Sequence, residues 1–182
     1  MKTTKKILIV DLEATCWEQD GDYQKEHSEI IEIGICALDI ETGIVSSNKG
    51  ILIKPTLSKV SPFCTNLTSI TTEMLNKDGI SFKQACEMLT NEYNSEEYTW
   101  ASYGYYDINF LKEQCQKFNV SYPMSTSHIN IKVLLSEKLN MNKGMGMKKA
   151  LQYLKIPLEG THHRGKDDAN NCAKILYWIL KN

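Results

Sequence analysis

The sequence predicts an α/β protein in which helices flank a mixed β-sheet. Three strand-like runs fill the first third of the chain, and helical and strand-like patterns alternate after them. The first run is apolar and rich in β-branched residues, whereas the later helical segments repeat apolar residues every three to four positions. Together these patterns favour a sheet whose central strand is buried on both faces.

The predicted strands of the first third are separated by turn residues. Lys6–Asp11 is a continuous apolar run, as expected for a central strand, and Glu29–Ile40 forms the second. Gly43 marks a turn, and Ile44–Lys54 supplies a third strand that ends at Pro55. This part of the chain is therefore expected to form a strand meander.

After Pro62, apolar residues recur mainly at the spacing of a helix, and Ser81 is a candidate N-cap. The predicted elements are a helix at Ser81–Tyr93, a strand at Tyr98–Tyr103, a helix at Asp107–Phe118, a short strand at Ile129–Ile131 leading into a helix that ends at Leu139, and helices at Met147–Leu154 and Lys166–Leu180. A loop at 140–146 precedes the last two helices. Residues 1–182 are expected to form one domain, since 182 residues suit one domain better than two.

The charge balance excludes some classes of nucleic-acid-binding protein. The chain has 21 Lys and Arg against 22 Asp and Glu, a net charge of −1. A protein without a basic coat is a poor candidate for wrapping a duplex. A local site for one strand end is still compatible with this balance, because bound metal ions would change the local sign.

Cysteine spacing and the length of the apolar runs indicate the cellular compartment of the protein. The six cysteines include no C-x-x-C pair, which argues against a zinc cage and a secreted disulfide framework. The apolar run at 7–10 is too short for a signal peptide, and no stretch approaches the roughly 20 residues that cross a bilayer. We therefore expect a cytoplasmic protein without a membrane partner; no protein partner can be inferred.

Two carboxylates end the most apolar strand. Asp11 and Glu13 are two residues apart, so on a strand they share a face, roughly 6.6 Å apart along it. Buried there, they would repel each other and resist desolvation, and a divalent metal is the simplest compensation. The alternative is that this D-x-E segment simply leaves the strand into solvent.

A third carboxylate, Asp107, follows the strand-like segment YTWASY and opens a helix. It is either a further metal ligand or an aspartate that interacts favourably with the helix dipole.

The segment THHRGKDDANN holds a histidine five residues before an aspartate in two registers, His162/Asp167 and His163/Asp168. Helical geometry separates the registers, because Asp168 shares a stripe with the apolar residues of the last helix and Asp167 does not. We expect Asp168 to point inward with His163 as its partner, and His162 and Asp167 to lie outside the site.

These residues resemble the three motifs of the DEDDh (DnaQ-like) 3′→5′ exonucleases. The first motif is Asp11-x-Glu13, the second is Asp107 at the start of a middle helix, and the third is His163-x4-Asp168. Each motif alone is weak evidence, but the three occur in the family's order and context.

Three further segments resemble the subfamily of histone-mRNA 3′-end and siRNA-degrading exonucleases. They are DLEATCW (Asp11–Trp17), SPFCTNLTSIT (Ser61–Thr71) and GMGMKKALQYL (Gly144–Leu154). The resemblance runs from about Lys6 to Leu180 and implies an RNase H-like fold with a five-stranded mixed sheet. The chain departs from the subfamily at Ser69, where LTG has glycine, and at Tyr106, where tryptophan is common.

The resemblance implies a two-metal mechanism. Two divalent ions, Mg2+ or Mn2+, would balance Asp11, Glu13, Asp107 and Asp168, with Asp11 bridging both. Oxygen ligands suit these hard cations, and the lack of a Cys/His cluster argues against zinc.

The resemblance also assigns His163 as the general base that takes a proton from the attacking water, with Glu13 beside it as a catalytic residue. The product would be a nucleoside 5′-monophosphate released from the 3′ end. Arg164 and Lys166 either steer phosphates or are solvated charges at a helix start.

The substrate implied is the 3′ end of a single-stranded nucleic acid. The backbone at Ala14 and Thr15 would contact the terminal sugar, and Phe63, Leu67 and Tyr106 are candidates to sandwich the terminal base. Each of these three side chains could equally serve ordinary packing. RNA is favoured by the resemblance alone; the alternatives are a DNA-directed proofreading or repair exonuclease and a non-catalytic regulatory binding module.

Overall fold

Five strands form one mixed sheet in a computed structural model that describes residues 5–19 and 21–182. The strands are β1 (Lys6–Ala14), β2 (Ile30–Asp39), β3 (Val45–Leu52), β4 (Trp100–Ser102) and β5 (His128–Asn130), in the order β3-β2-β1-β4-β5. The β1–β2 and β2–β3 pairs are antiparallel, whereas β1–β4 and β4–β5 are parallel. The predicted five-stranded mixed sheet flanked by helices is confirmed.

The described residues contain eight helices. They are α1 (Asp22–His27), α2 (Pro62–Thr68), α3 (Thr72–Asp78), α4 (Phe82–Tyr93), α5 (Tyr106–Lys117), α6 (Ile131–Lys138), α7 (Met147–Leu154) and α8 (Gly165–Lys181). The five longer helices match the predicted ones to within a few residues. Ser81 caps α4 in a capping box with Gln84, as its sequence suggests.

Three short helices, α1 to α3, were not predicted from the sequence. Each spans six or seven residues, so none repeats an apolar stripe often enough to show a helical period. Local capping explains α2 and α3: the side chain of Ser61 accepts a hydrogen bond from the Cys64 amide, and Thr71 does the same for Met74.

The central strand β1 separates two apolar layers. Its even-numbered residues from Leu8 to Leu12 pack in the core cluster that includes α4 and α5, while Ile7 and Ile9 pack with α6, α7 and α8. Asp11 and Glu13 continue the odd-numbered face. The strand extends to Ala14, three residues past its predicted end, so both carboxylates lie within it.

No helix in the described part of the chain is both long and apolar enough to cross a membrane.

Candidate active site

A cavity of about 320 Å³ opens where β1 ends, beside the first turn of α5 and the segment that precedes α8. Four carboxylates and two imidazoles line it: Asp11, Glu13, Asp107, Asp168, His162 and His163. The carboxylates come from β1, α5 and α8, so the fold brings together the acidic residues of all three sequence motifs.

Strand β1 places its two carboxylates by simple alternation. Asp11 and Glu13 face the same side, and their register partners on β2 are Gly34 and Glu32. Glu13 is only 8% exposed. Neither residue leaves the strand into solvent, which removes that alternative.

Asp107 is held against β1 rather than only capping its own helix. It lies in the first turn of α5 and is 5% exposed. Its Oδ1 accepts a hydrogen bond from the Leu12 amide at 3.1 Å. This contact ties the start of α5 to the strand that carries the other two carboxylates.

Asp168 points inward from the first turn of α8, as the helical pattern predicts. It is 3% exposed. Its Oδ2 accepts a hydrogen bond from the His163 amide at 2.9 Å and also lies 2.9 Å from Nδ1 of His162. The carboxylate therefore fixes both histidines relative to α8.

His162 lies inside the site, so the expectation that it lies outside is wrong. Its ring stacks on that of His163, with centroids 3.9 Å apart, and both rings line the cavity. The sequence argument relied on helical geometry, but α8 begins only at Gly165. At His163 the backbone has a φ of 65°, which is not helical, so helical spacing does not predict where the two histidine side chains point.

Asp167 lies outside the cavity, as expected. Its Oδ2 accepts a hydrogen bond from the Thr161 amide at 2.9 Å. Asp167 thus stabilises the loop before α8.

The site is electrostatically unfavourable without a cation. Burial, followed by repulsion from neighbouring carboxylates, raises the pKa of Asp11 well above its usual range and that of Glu13 to about 8. Burial also raises the pKa of Asp107 to about 6 and raises that of Asp168. Desolvation and the neighbouring His162 lower the pKa of His163, which favours the neutral form of its imidazole.

The arrangement fits divalent cations. Carboxylate oxygens of Asp11, Glu13 and Asp168 all lie within 4.8 Å of one another. No described residue donates a hydrogen bond to the carboxylate of Asp11 or Glu13. Clustered carboxylate oxygens without internal donors are the ligand set that hard cations prefer.

Four of the five predicted substrate-contacting residues line the cavity, and Phe63 does not. Leu67 and Tyr106 are 39% and 58% exposed, and the Tyr106 ring stacks on Phe110 with centroids 5.3 Å apart. Phe63 lies one turn before Leu67 on α2 and is also partly exposed.

Ala14 and Thr15 lie at the cavity wall, but Thr15 is committed to internal contacts. Its amide donates to the carbonyl of Glu29 at 2.9 Å, and its Oγ1 accepts from the Glu29 amide at 2.9 Å. Its carbonyl accepts from Ser28 Oγ at 2.9 Å. Thr15 therefore shapes the wall chiefly through its fixed backbone.

The further lining residues that the sequence did not single out include Gln24, Ser28, Tyr103 and Met147. Tyr103 follows β4, and its hydroxyl donates a hydrogen bond to the Met145 carbonyl at 3.1 Å, which joins the segment before α7 to the site. Tyr103 lies in the aromatic segment before Asp107, a signal that could have marked it.

Comparison with known proteins identifies relatives of similar architecture. A family model described as exonuclease (RNase_T) matches residues 8–176. A solved structure, the nuclease domain of 3'hExo, described as a DEDDh family member bound to rAMP, superposes with a TM-score of 0.89 at 26% identity, covering 99% of this chain and 94% of that one. This neighbour shows that the sheet has the RNase H-like fold of DEDDh nucleases.

Curated relatives carry related names. The 3'-5' exoribonuclease 1 of Rattus norvegicus is 27% identical over 97% of this chain and 53% of its own length, so the chain spans about half of that relative. The probable 3'-5' exonuclease KapD of Bacillus subtilis is 26% identical over 96% of this chain and 84% of its own. Since the family model covers most of the sequence, the chain belongs to the RNase_T exonuclease family, with the three DEDDh motifs gathered in one cavity.

Proposed function

We propose that this protein is a metal-dependent 3′→5′ exonuclease that degrades single-stranded nucleic acid, preferably RNA, to nucleoside 5′-monophosphates. One observation carries the proposal: four carboxylates, three of them buried, and two imidazoles meet in a single cavity of a chain from an exonuclease family. Such a concentration of buried, mutually repelling groups indicates a functional site.

Asp11, Glu13, Asp107 and Asp168 are the proposed ligands of two divalent ions, Mg2+ or Mn2+. The proximity of the Asp11, Glu13 and Asp168 oxygens and the raised carboxylate pKa values support this assignment. When bound, such ions supply charge stabilisation to the attacking and leaving oxygens of an in-line displacement at phosphorus. A structure of Pop2p from S. pombe is described as the Mg2+- and Mn2+-bound form, and that protein shares the fold.

His163 is the proposed general base. Its lowered pKa keeps Nδ1 or Nε2 free to accept a proton from the attacking water at neutral pH. The Asp168 contact to its amide fixes where the ring stands relative to the carboxylates. Glu13, beside Asp11 on β1, is the proposed second catalytic residue, because its carboxylate faces the same cavity.

The 3′-terminal nucleotide is proposed to enter between Leu67 and Tyr106, with the backbone at Ala14 and Thr15 next to its sugar. The partial exposure of Leu67 and Tyr106 at the cavity supports base stacking or packing there. Phe63 is left out of the proposal because it does not line the cavity.

RNA is the proposed substrate because of what the relatives are described as binding. One solved neighbour is bound to rAMP, and another is described as a 3′-exonuclease that recognises the 3′ end of the histone mRNA stem-loop. We also propose a cytoplasmic location, which is supported by six cysteines that are all free thiols.

Labelled oligonucleotides test the proposal. Single-stranded RNA and DNA of one sequence, labelled at the 5′ end, are incubated with the protein in Mg2+, Mn2+ or EDTA. We expect a ladder that shortens from the 3′ end, requires metal and forms faster on RNA. A faster reaction on DNA would indicate a proofreading or repair enzyme. Absence of cleavage by folded, metal-loaded protein would indicate a regulatory binding module.

A further inference from the structure

Glu32 is a fully buried carboxylate that the proposed chemistry does not use. It lies on β2 opposite Glu13 and is 0% exposed. Three donors satisfy it: Arg164 Nε at 3.1 Å, Arg164 Nη2 at 3.3 Å and the Gly165 amide at 2.9 Å. A buried charge is costly unless it is paired and hydrogen-bonded, and Glu32 meets both conditions.

The donors to Glu32 come from the two residues that follow His163. Arg164 is the next residue in the chain, and Gly165 begins α8, whose first turn carries Asp168. Arg164 does not line the cavity, and it is not an isolated solvated charge, because its guanidinium pairs with the carboxylate of Glu32. Instead, its guanidinium fixes the backbone between the proposed base and the last carboxylate.

Glycines at the contact allow this close approach. A Cβ atom at Gly34, on β2, would overlap the carbonyl of Gly165, so the backbone of α8 rests directly on the strand. A Cβ atom at Gly50, on β3, would overlap Oε1 of Glu32. Gly34 thus leaves space for the backbone at the start of α8, and Gly50 leaves space for the carboxylate of Glu32.

The backbone beside the pair needs such support. His163 has a φ of 65°, which is unfavourable for a residue with a side chain and persists only where its surroundings impose it. Asp168 holds the His163 amide, and the Glu32–Arg164 pair holds the next residue.

We infer that Glu32 and Arg164 are positioning residues, which set the distance of His163 and Asp168 from the carboxylates of β1. The inference rests on the proposed function for its catalytic consequence. A buried ion pair is by itself weak evidence for stability, so the test must separate positioning from folding.

Arg164→Lys is the primary variant, since lysine keeps the charge but cannot make the two-point contact of a guanidinium. Lys174→Met is the matched control. Lys174 lies on α8, the helix that Arg164 precedes; it pairs with Glu159 at 2.7 Å and has the same side-chain exposure as Arg164, 23%. A double variant, Glu32→Met with Arg164→Met, replaces the ion pair by apolar side chains, an exchange that folded proteins often tolerate.

Three experiments are made on each protein. Thermal unfolding gives the Tm, and cleavage of a short RNA in Mg2+ gives kcat and KM. NMR of isotope-labelled, metal-free protein gives the histidine ring resonances. For Arg164→Lys we expect kcat to fall roughly 10- to 100-fold, as small misplacements in an active site do. KM and Tm should change little, and the ring signals of His163 should shift. Lys174→Met should match the unmodified chain. The double variant should still fold, but its kcat should be lower than that of the unmodified chain.

Normal kcat and unshifted His163 signals in Arg164→Lys would overturn the inference. Recovery of kcat in the double variant would also overturn it, because the pair would then serve folding alone. Should the double variant fail to fold, Arg164→Lys decides the question by itself. If the unmodified protein cleaves nothing, the proposed function fails, while the His163 signals of the metal-free protein still test the positioning.

Discussion

Glu13 and Glu32 are register partners on β1 and β2, two buried carboxylates on one face of the sheet, yet only Glu32 has a cationic partner. Their repulsion contributes to the pKa of about 8 at Glu13. The protein therefore supplies a counter-charge to the carboxylate behind the site and none, among the described residues, to the one inside it. This contrast supports a ligand from outside the chain as the partner of Glu13.

The metal-free protein should become less stable as the pH rises. A carboxyl whose pKa is raised on folding stabilises the protonated folded state at low pH, and this contribution is lost as the pH rises toward the folded pKa. For Glu13 the window runs from its ordinary value of 4.5 to about 8. In EDTA we expect Tm to fall between pH 5 and pH 8, and Mg2+ or Mn2+ to restore more of it at pH 8. Glu13→Gln should flatten the profile; identical profiles with and without metal would contradict this account.

Asp11→Asn should abolish nearly all cleavage while making the metal-free protein more stable. The substitution keeps the shape of the side chain but removes a buried charge that Asp107 and Glu13 repel. Thermal unfolding in EDTA and cleavage in Mg2+ measure the two effects. Asp167→Asn is the control, and its effects on Tm and cleavage should be mild because Asp167 lies outside the cavity. A fall in the EDTA Tm for Asp11→Asn would disprove the repulsion.

His163→Ala should lower kcat by roughly 10²–10⁴, the usual contribution of general acid–base catalysis, while Mn2+ binding measured by calorimetry is largely retained. His162→Ala should cause a smaller loss, of order 10-fold, because His162 stacks on His163 and contacts Asp168 without being the proposed base. A larger loss of kcat in His162→Ala than in His163→Ala would indicate that His162, and not His163, is the general base.

Tyr106→Ala should weaken substrate binding more than it slows the chemical step. Base stacking on an aromatic side chain contributes ~1–3 kcal/mol, so KM for a short RNA should rise by roughly 5- to 100-fold. Phe63→Ala is the matched control, because Phe63 is a partly exposed aromatic residue outside the cavity. An equal rise in KM for both variants would show that the effect is not local to the cavity.

Ser69→Gly should stabilise the fold. Ser69 ends α2 with a φ of 61°, a left-handed conformation that costs about 1–2 kcal/mol for a residue with a Cβ atom. Part of the gain is offset by the greater freedom of glycine in the unfolded chain, about 0.5–1 kcal/mol. A net gain of about 0.5–1 kcal/mol corresponds to a rise in Tm of about 1–4 °C. Ser69→Ala should give no rise; the same rise there would point to loss of the hydroxyl instead.

The four carboxylates could be placed from the sequence because local patterns determine where they lie. Asp11 and Glu13 end an apolar run, Asp107 follows a strand-like aromatic segment, and the apolar stripe of α8 fixes the direction of Asp168. Each inference needs only the period of one element. The two inner strands β1 and β2 were predictable for the same reason, since both are largely apolar runs.

Features outside regular elements were not predictable in this way. His162 lies in a segment before α8, where a positive φ at His163 redirects the chain. The Glu32–Arg164 pair joins residues far apart in sequence, and nothing in a single sequence indicates that they meet. Phe63 and Leu67 share the short helix α2, and only the tertiary placement of that helix shows which one reaches the cavity.

The site takes its first carboxylates from β1 and its last from α8, which follows every other element in the chain. A ribosome therefore makes Asp11 and Glu13 long before Asp168 and the two histidines. Until residues 163–181 are translated, the nascent protein lacks the proposed base, one of the four carboxylates and the helix that covers one face of β1 and β2. The order of synthesis thus completes the proposed site only after the residues of α8 have been made.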